Sequence, residues 1–268
     1  VSCHYMKEEF AFPLIHPPFK ERSCTTCHHP HSSNYYGILQ DNQKNVCFSC
    51  HVTIAQLIKK PYQHNPFFKA NCTICHKPHS GIVDSLLLEQ MPPLCYNCHD
   101  SIRLEFLKLS HHPVRVSWTC LKCHGPHAES YPKLVVAKDN ELCFSCHEVI
   151  TKYSNRTYYE ASGHGKSADR VGRGLCLNCH TPHGSEYVPL EVIPEIDLCY
   201  LCHEKNVFGR EYTVKTHPVD DPYVDERRNK KLLCTYTCHD PHGTQYWAMK
   251  IWDKDALCLI CHQYFELP

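Results

Sequence analysis

The sequence predicts a tandem repeat of two-motif modules that is mostly irregular loop with short α-helices and little or no β-sheet. One observation behind this prediction is a Cys-x-x-Cys-His motif that recurs along the chain in pairs, beginning with Cys24–His28 and Cys47–His51. The other is the small number of residues per motif, about two dozen, which is too few for a conventional apolar core. A bound group must therefore form the core of each module.

Two cysteines separated by two residues and followed directly by histidine form the attachment signature of c-type haem. The thiols add to the vinyl groups of the haem, and the histidine is placed to take one axial position on the iron. A disulfide or zinc framework gives no reason for a histidine after the second cysteine. We therefore expect a haem-cored repeat of two-haem modules, and we expect the chain without haem to remain unfolded.

The complete motifs form five doublets. In four of them the first cysteines of the two motifs are 23 residues apart, and the fifth has one extra residue between Cys234 and Cys238. Each first motif continues as His-x-Pro-His. The cysteines expected to attach haem in these ten sites are Cys24, Cys27, Cys47, Cys50, Cys72, Cys75, Cys95, Cys98, Cys120, Cys123, Cys143, Cys146, Cys176, Cys179, Cys199, Cys202, Cys234, Cys238, Cys258 and Cys261.

The remaining cysteine, Cys3, is followed by His4 and lies at nearly the repeat distance before Cys24. We expect an eleventh haem site here, in the second half of a doublet that begins before Val1; a free thiol is the alternative. The predicted modules are residues 1–10 for this half doublet, followed by residues 11–60, 61–108, 109–155, 156–210 and 211–268.

Eleven histidines directly follow a second cysteine and are the predicted proximal iron ligands. No donor is assigned as the second ligand of the haem at His4. The alternatives are His29, His111, an upstream histidine and a neighbouring subunit. The proximal set is His4, His28, His51, His76, His99, His124, His147, His180, His203, His239 and His262.

Ten further histidines recur in register with the motifs. Five end the His-x-Pro-His segments, and five precede a doublet, by eight residues in three cases and by 12 and 17 residues in the others. Ten such histidines for ten complete sites predict bis-histidine ligation, whereas the three methionines share no repeating position. The candidates are His31, His79, His127, His183 and His242, and His16, His64, His112, His164 and His217.

The prolines indicate how these histidines are directed. The proline of His-x-Pro-His disfavours helix, so the histidine after it should leave its own haem and serve another, most simply the second haem of its doublet. The second motifs lack this proline and run into predicted helices at residues 51–60 and 99–108. Residues 10–22 are expected to be an extended linker. The inserts at residues 156–174 and 218–231 are expected to be solvated surface, with a docking loop as the alternative for either.

Composition limits the partners. Lysine plus arginine and aspartate plus glutamate number 28 each, so there is no basic stripe for nucleic acid. Haem propionates would make the holoprotein acidic, which favours basic redox partners. No apolar run approaches the ~18 residues of a transmembrane helix. Because haem is attached to c-type cytochromes outside the cytoplasm, we expect an exported protein of the periplasm or the cell exterior.

The doubled pattern resembles the multihaem c-type cytochromes with doubled CxxCH motifs, and the resemblance covers essentially the whole chain. In the similar tetrahaem class III cytochromes, a histidine eight residues before a motif ligates that motif's haem, and one just after it ligates the next haem. The resemblance implies the pairs His16–His28, His31–His51, His64–His76, His79–His99, His112–His124, His127–His147, His164–His180, His183–His203, His217–His239 and His242–His262.

Bis-histidine iron has no open position for substrate, so the sequence predicts electron transfer through ten to eleven haems and no enzyme activity. The alternative is an oxidoreductase of the nitrite or hydroxylamine type with one five-coordinate haem, although no Cys-x-x-Cys-Lys occurs. Three roles stay open for an electron carrier: a shuttle, a conduit within an outer-membrane porin, and an extracellular filament. The expected partners are accordingly other redox proteins or identical subunits.

Overall fold

The structure, a computed structural model, describes residues 6–113, 120–166, 175–203, 224–225, 230–231, 233–235 and 237–259. The chain divides into two compact units, one formed by Val1–Leu104 with Pro113–Lys138 and the other by Glu105–His112 with Asp139–Pro268. The predicted fold class is confirmed, because the described chain is mostly loop and turn, with short helices and strand pairs of two residues.

The α-helices of the described residues are four to six residues long. None of them combines the length and the apolar character that crossing a bilayer requires. In chain order they are α1 (Pro17–Lys20), α2 (Gln43–Phe48), α3 (Val52–Gln56), α4 (Asn65–Phe68), α5 (Pro93–Tyr96), α6 (Asp100–Glu105), α7 (Asp139–Phe144), α8 (Arg156–Ala161), α9 (Gly163–Lys166), α10 (Glu195–Tyr200) and α11 (Lys254–Leu259).

The two motifs of a doublet have different backbone conformations. The first cysteine of each second motif lies in an α-helix, namely α2, α5, α7, α10 or α11. Helix α2 begins after Asn42, whose side chain accepts the backbone N–H of Asn45, and α5 has proline in its first turn. In four first motifs the first cysteine begins a 3-10 turn, at Cys24–Thr26, Cys72–Ile74, Cys120–Lys122 and Cys176–Asn178.

The helices predicted after the second motifs are present but shorter than expected. Helix α3 is continued by a 3-10 turn at Leu57–Lys59 within the predicted range 51–60, and α6 lies within the predicted range 99–108. Residues 156–166, expected as solvated surface, form α8 and α9, and Tyr159 of α8 is buried against Phe144 at 5.9 Å between ring centroids. Most of the second insert lies outside the described residues.

The strands of the described chain form antiparallel pairs of two residues each. They are β1 (Leu14–Ile15) with β3 (Ser80–Gly81), β2 (Tyr62–Gln63) with β5 (Ala128–Glu129), β4 (Ser110–His111) with β6 (Gly184–Ser185), and β7 (Val224–Asp225) with β8 (Lys230–Lys231).

Three of these pairs connect one doublet to the next. Each joins the residues before a doublet to the residues that follow His-x-Pro-His in the next doublet. In the first pair, the backbone N–H of His16 donates to the carbonyl of His79 at 2.8 Å. Residues 10–22 are therefore not only an extended linker, because they contain a pairing strand and the helix α1.

Side chains alone form a small core in the described residues. In the first unit Phe67 is 8 % exposed and its ring lies 6.1 Å from that of Phe48. Phe144 and Tyr159 are buried in the second unit. Many large apolar side chains are exposed instead, among them Tyr36 and Trp247. This distribution agrees with modules whose core includes a bound group.

Candidate haem-binding sites

Four pairs of imidazole rings join the histidine before a doublet to the motif histidine of the second motif in that doublet. Their ring centroids lie 6.0 to 6.2 Å apart. Both histidines of such a pair belong to the same sequence module. The pairs are His16 with His51, His64 with His99, His112 with His147, and His164 with His203.

Three further ring pairs join the motif histidine of a first motif to the His-x-Pro-His histidine of a later doublet. The centroid distances are 6.0 Å for His28 with His79, 6.2 Å for His76 with His127, and 6.0 Å for His180 with His242. In all three pairs the second histidine lies one doublet further along the chain. Each of these sites therefore draws on two consecutive doublets.

The ring spacing fits two ligands of one metal ion. Opposed imidazoles on a single ion would have centroids about 6 Å apart, because a metal–nitrogen bond is about 2 Å long and a ring nitrogen lies about 1 Å from its centroid. Apolar side chains inside the motifs also remain exposed, as for Ile74 at 44 % and Leu177 at 58 %. Both observations fit covalently attached haem, which needs two axial donors and apolar surface around the porphyrin.

The structure corrects the pairing that the resemblance implied. The prediction that proline directs the second histidine away from its own haem was useful, but that histidine meets the preceding doublet and not the second motif of its own. Antiparallel strand pairing is the physical reason, because β3 and β5 fix their histidines beside the preceding doublet. The ring contacts described above replace pairs that the resemblance implied, namely His16–His28, His31–His51, His64–His76, His79–His99, His112–His124, His127–His147, His164–His180, His183–His203 and His242–His262.

The motif histidine of each first motif is oriented by a backbone carbonyl nine residues later. Its Nδ1 lies 2.8 to 2.9 Å from this carbonyl, so that donation from Nδ1–H leaves Nε2 available to a metal. The acceptors lie at turns with positive φ; Ile38, for example, has φ of 47°. The pairs are His28 with Gly37, His76 with Ser85, His124 with Lys133, His180 with Pro189, and His239 with Ala248.

The histidines that precede a doublet have an equivalent orienting contact. Their Nδ1 atoms hydrogen-bond to the carbonyl of the His-x-Pro-His proline in the next doublet, at 3.0 Å for His64 with Pro126 and 2.7 Å for His164 with Pro241. His112 makes the same contact with Pro182. The proline thus has a second role that its sequence position did not reveal, because its carbonyl fixes the ring of the preceding module.

His242 is oriented by a carboxylate, and this contact was not anticipated from the sequence. Its Nδ1 lies 3.0 Å from Oδ1 of Asp240, which is only 4 % exposed and also accepts the Thr151 hydroxyl. Burial raises the pKa of Asp240, but the hydrogen bonds from His242 and Thr151 outweigh it and hold this pKa below its usual value. A comparison of the repeats could have revealed the site, since the other four segments have no carboxylate at this position.

Several of the paired rings are held in the neutral form that binds metals. Burial is the main cause, and a facing histidine adds to it: for His16 the neighbour is His51, and for His79 it is His28. A neutral imidazole has a free nitrogen lone pair, so these environments suit ligation. The histidines whose pKa is lowered in this way are His16, His64, His79, His127 and His180.

Cysteine sulfurs of consecutive doublets lie in contact. The first cysteine of a second motif is hydrogen-bonded to the first cysteine of the next doublet, in the pairs Cys47–Cys72, Cys95–Cys120, Cys143–Cys176 and Cys199–Cys234. In the free thiols, the hydrogen bond from Cys47 lowers the pKa of Cys72, and that from Cys95 lowers the pKa of Cys120. Each contact places the second motif of one doublet next to the first motif of the following doublet.

Six of the predicted site residues fall outside the part of the chain, or the side chains, that the structure describes. The residues Cys3, His4, His217, Cys261 and His262 lie outside the described residues, and the side chain of Cys258 is likewise not described.

Repeated Cys-x-x-Cys-His motifs, with further histidine rings facing the motif histidines, indicate a multihaem protein of the c type. The chain belongs to the family described as Doubled CXXCH motif, whose pattern it matches five times, at residues 16–56, 64–104, 111–152, 169–208 and 228–266. A comparison with curated proteins finds no match. The family establishes haem c as the cofactor and multihaem electron transfer as the function.

Proposed function

We propose that the chain conducts electrons through haems that are each held by two histidines. The observation that carries the proposal is the set of seven ring pairs with centroids 6.0 to 6.2 Å apart. Haem, when bound, supplies a one-electron iron couple. Two imidazoles per haem fill both axial positions and so exclude substrate, which favours electron transfer over catalysis.

The proposed sites are the ten complete motifs and an eleventh at Cys3 and His4. Two thioether bonds and one proximal histidine hold each complete site, and the recurrent histidines supply the second ligand. An intact-mass measurement of the purified native protein counts the attached haems directly. Ten haems on a chain that begins at Val1 would contradict the eleventh site, and fewer than ten would contradict the proposed set of cysteines.

The proposed path follows the order of the motifs along the sequence. The sulfur contacts Cys47–Cys72 and Cys95–Cys120 support proximity between the sites of consecutive doublets in the first unit. Within a doublet, the facing thiols of Cys27 and Cys50 support proximity between the two sites. Sites arranged in this way would pass an electron from neighbour to neighbour, so no module would need to reach a distant partner.

Carbon monoxide provides the test of full axial ligation. It binds ferrous haem only where an axial position is open or easily vacated. The reduced native protein is expected to show no spectral shift under carbon monoxide. Rapid binding by one haem would overturn complete bis-histidine ligation and favour the alternative, an oxidoreductase with one five-coordinate haem.

The haem that His16 serves can be tested by making the same substitution in two proteins that each lack one haem. His16→Ala is made in a protein that lacks the first haem through Cys24→Ala and Cys27→Ala. A new carbon monoxide-binding haem is expected there, because His16 faces His51 and not His28. The matched background lacks the second haem through Cys47→Ala and Cys50→Ala, and in it the same substitution should create no new binding site. The opposite pattern would contradict the assignment.

We further propose an exported protein that acts in the periplasm or outside the cell, with redox proteins or identical subunits as partners. Covalent haem attachment outside the cytoplasm supports export. The proposed repeat units are the modules at residues 11–60, 61–108, 109–155, 156–210 and 211–268. Electron microscopy of the purified protein separates the assembly states: filaments with a regular repeat would favour a conductor made of identical subunits, and discrete particles would favour a shuttle or a porin-bound conduit.

A further inference from the structure

The histidine pairs follow a rule that extends beyond the pairs themselves. Three His-x-Pro-His histidines face the first motif of the doublet before their own: His79 faces His28, His127 faces His76, and His242 faces His180. The first segment of this kind, His28-His29-Pro30-His31, has the same sequence pattern. By the same rule, His31 should face the first motif of a doublet that precedes Cys24.

His31 differs from its equivalents in its surroundings. His79, His127 and His242 are half-buried and each is followed by a buried residue, whereas His31 and Ser32 are exposed. Phe19 stacks on His79 with centroids 4.7 Å apart. Among the described residues, the ring contact of His31 is with His29 alone, at 6.2 Å.

The backbone beside His31 also forms no strand pair within the described part of the chain. The carbonyl of His79 accepts the N–H of His16 from the preceding doublet, and the residues after it form β3. No described residue donates a backbone N–H to the carbonyl of His31, and the residues after it form no strand. The segment thus has the same edge as its equivalents but without the strand that covers them.

The segment is nevertheless constructed like the others. Nδ1 of His28 hydrogen-bonds to the carbonyl of Gly37 at 2.8 Å, as in the other four first motifs. The backbone N–H groups of His31 and Ser32 point to Nδ1 of His29, at 3.4 and 3.3 Å. These hydrogen bonds hold the segment in a defined conformation, with the ring of His31 at the surface.

We propose that His31 is the second axial ligand of a first-motif haem other than the five first-motif haems attached between Cys24 and Cys238 of the same chain. This inference rests on the proposed bis-histidine ligation. The required chemistry is a ferrous or ferric haem with one histidine already bound and the opposite axial position open. Such a haem could belong to the same polypeptide, upstream of the doublet that begins at Cys24. It could instead be the His239 haem of a second copy, because a first-motif haem takes its second ligand from the next doublet.

The experiment compares His31→Gln with two matched variants of the native holoprotein. His79→Gln removes a histidine that has a partner within the described pairs, and Ser32→Gln changes the exposed residue next to His31 without removing a histidine. The measurements are the number of haems per chain that bind carbon monoxide, and the sedimentation mass over a hundredfold dilution. Since His31 is exposed, its substitution should leave the fold intact.

The expected result is that His31→Gln and His79→Gln each gain one carbon monoxide-binding haem per chain, while Ser32→Gln gains none. If the source is the same polypeptide, the gain is independent of concentration and the mass remains that of one chain. If it is a second copy, the wild type loses mass and gains carbon monoxide binding on dilution, and His31→Gln is dissociated throughout.

A His31→Gln protein that matches the wild type in both measurements, while His79→Gln gains a site, would overturn the role of His31 and leave bis-histidine ligation intact. If His79→Gln also gains no site, the ligation assignment itself fails, and the inference about His31 fails with it.

Discussion

The carboxylate of Asp240 should lower the reduction potential of one particular haem. Asp240 accepts Nδ1–H of His242, whose ring faces His180 with an interplanar angle of 12°. Under the proposed ligation, this pair holds the haem attached at Cys176 and Cys179. A negative acceptor makes the imidazole a stronger donor to iron and favours the ferric state.

The substitution Asp240→Asn keeps an oxygen acceptor at the same position and removes the charge. A hydrogen bond to a charged group contributes about 1 kcal/mol more than a neutral one. If this difference acts on the ferric state, it corresponds to about 40 mV for a one-electron couple. We therefore expect one haem to titrate about 40 mV higher and the other haems to keep their potentials.

A spectroelectrochemical titration of the holoprotein measures this shift. Asp84→Asn is the matched control. Asp84 is an exposed aspartate at the start of a 3-10 turn, so its substitution removes the same charge from the surface. Potentials that are unchanged in Asp240→Asn, or equally raised in both variants, would refute the argument that the carboxylate acts through the axial ligand.

The same substitution should have a stability cost that depends on pH. The pKa of Asp240 is lowered in the folded protein, so the carboxylate contributes stability above its unfolded pKa of about 3.9 and loses this contribution as the pH falls through the folded value. Denaturant unfolding of the holoprotein should show Asp240→Asn less stable by about 1 kcal/mol at neutral pH. If acidification through the folded pKa of Asp240 left this deficit undiminished, the assignment would be contradicted.

Three further outcomes are expected from the fold. Gly184→Ala should lower the free energy of unfolding by about 1–3 kcal/mol in denaturant titration, because its Cβ would lie 1.8 Å from the carbonyl oxygen of Glu105. The control Gly163→Ala should not destabilise the protein, because its Cβ would meet no atom within 4 Å, and equal effects of the two substitutions would contradict this reasoning. Ala70→Gly should raise the free energy of unfolding by about 0.5–1 kcal/mol in the same assay, because Ala70 has φ of 54°, while Ala55→Gly within α3 should lower it by about 1 kcal/mol; a loss at both positions would exclude backbone strain at Ala70. A chain produced without covalent haem should give the far-ultraviolet circular dichroism of an unfolded protein, and a cooperative unfolding transition in that sample would show that side chains suffice for folding.

The sequence was sufficient for the features that depend on local chemistry. The Cys-x-x-Cys-His spacing predicted the cofactor, and the proline of His-x-Pro-His predicted that the following histidine leaves its own haem. The first of the helices that carry a second motif also has a local signal, because α2 follows Asn42 and the Asn42 side chain accepts the backbone N–H of Asn45. Asparagine is a typical residue at a helix start, so this element could be predicted from the sequence.

The pairing register could not be predicted, because it depends on contacts between residues that are distant in sequence. His16 lies eight residues before Cys24, yet its partner is decided by where β1 pairs, and β1 pairs with Ser80–Gly81. The turns that orient the motif histidines were also without a signal. Gly37 is the exception, because glycine readily adopts positive φ. The other four turns have positive φ at residues that rarely adopt it, such as Lys133 and Leu190.

The register has a consequence for how the array holds together. A second-motif haem finds both proposed ligands in its own module, as with His16 and His51. A first-motif haem does not, because its second ligand comes from the following doublet, as His79 does for His28. Under the proposed ligation, the first-motif sites at His28, His76 and His180 each connect neighbouring modules, through covalent attachment to one and coordination by the other. In a linear repeat, stability is the sum of module and interface contributions, so this ligation would concentrate the interface contribution at the iron. A module excised alone should therefore keep one haem with both its ligands and leave the other five-coordinate.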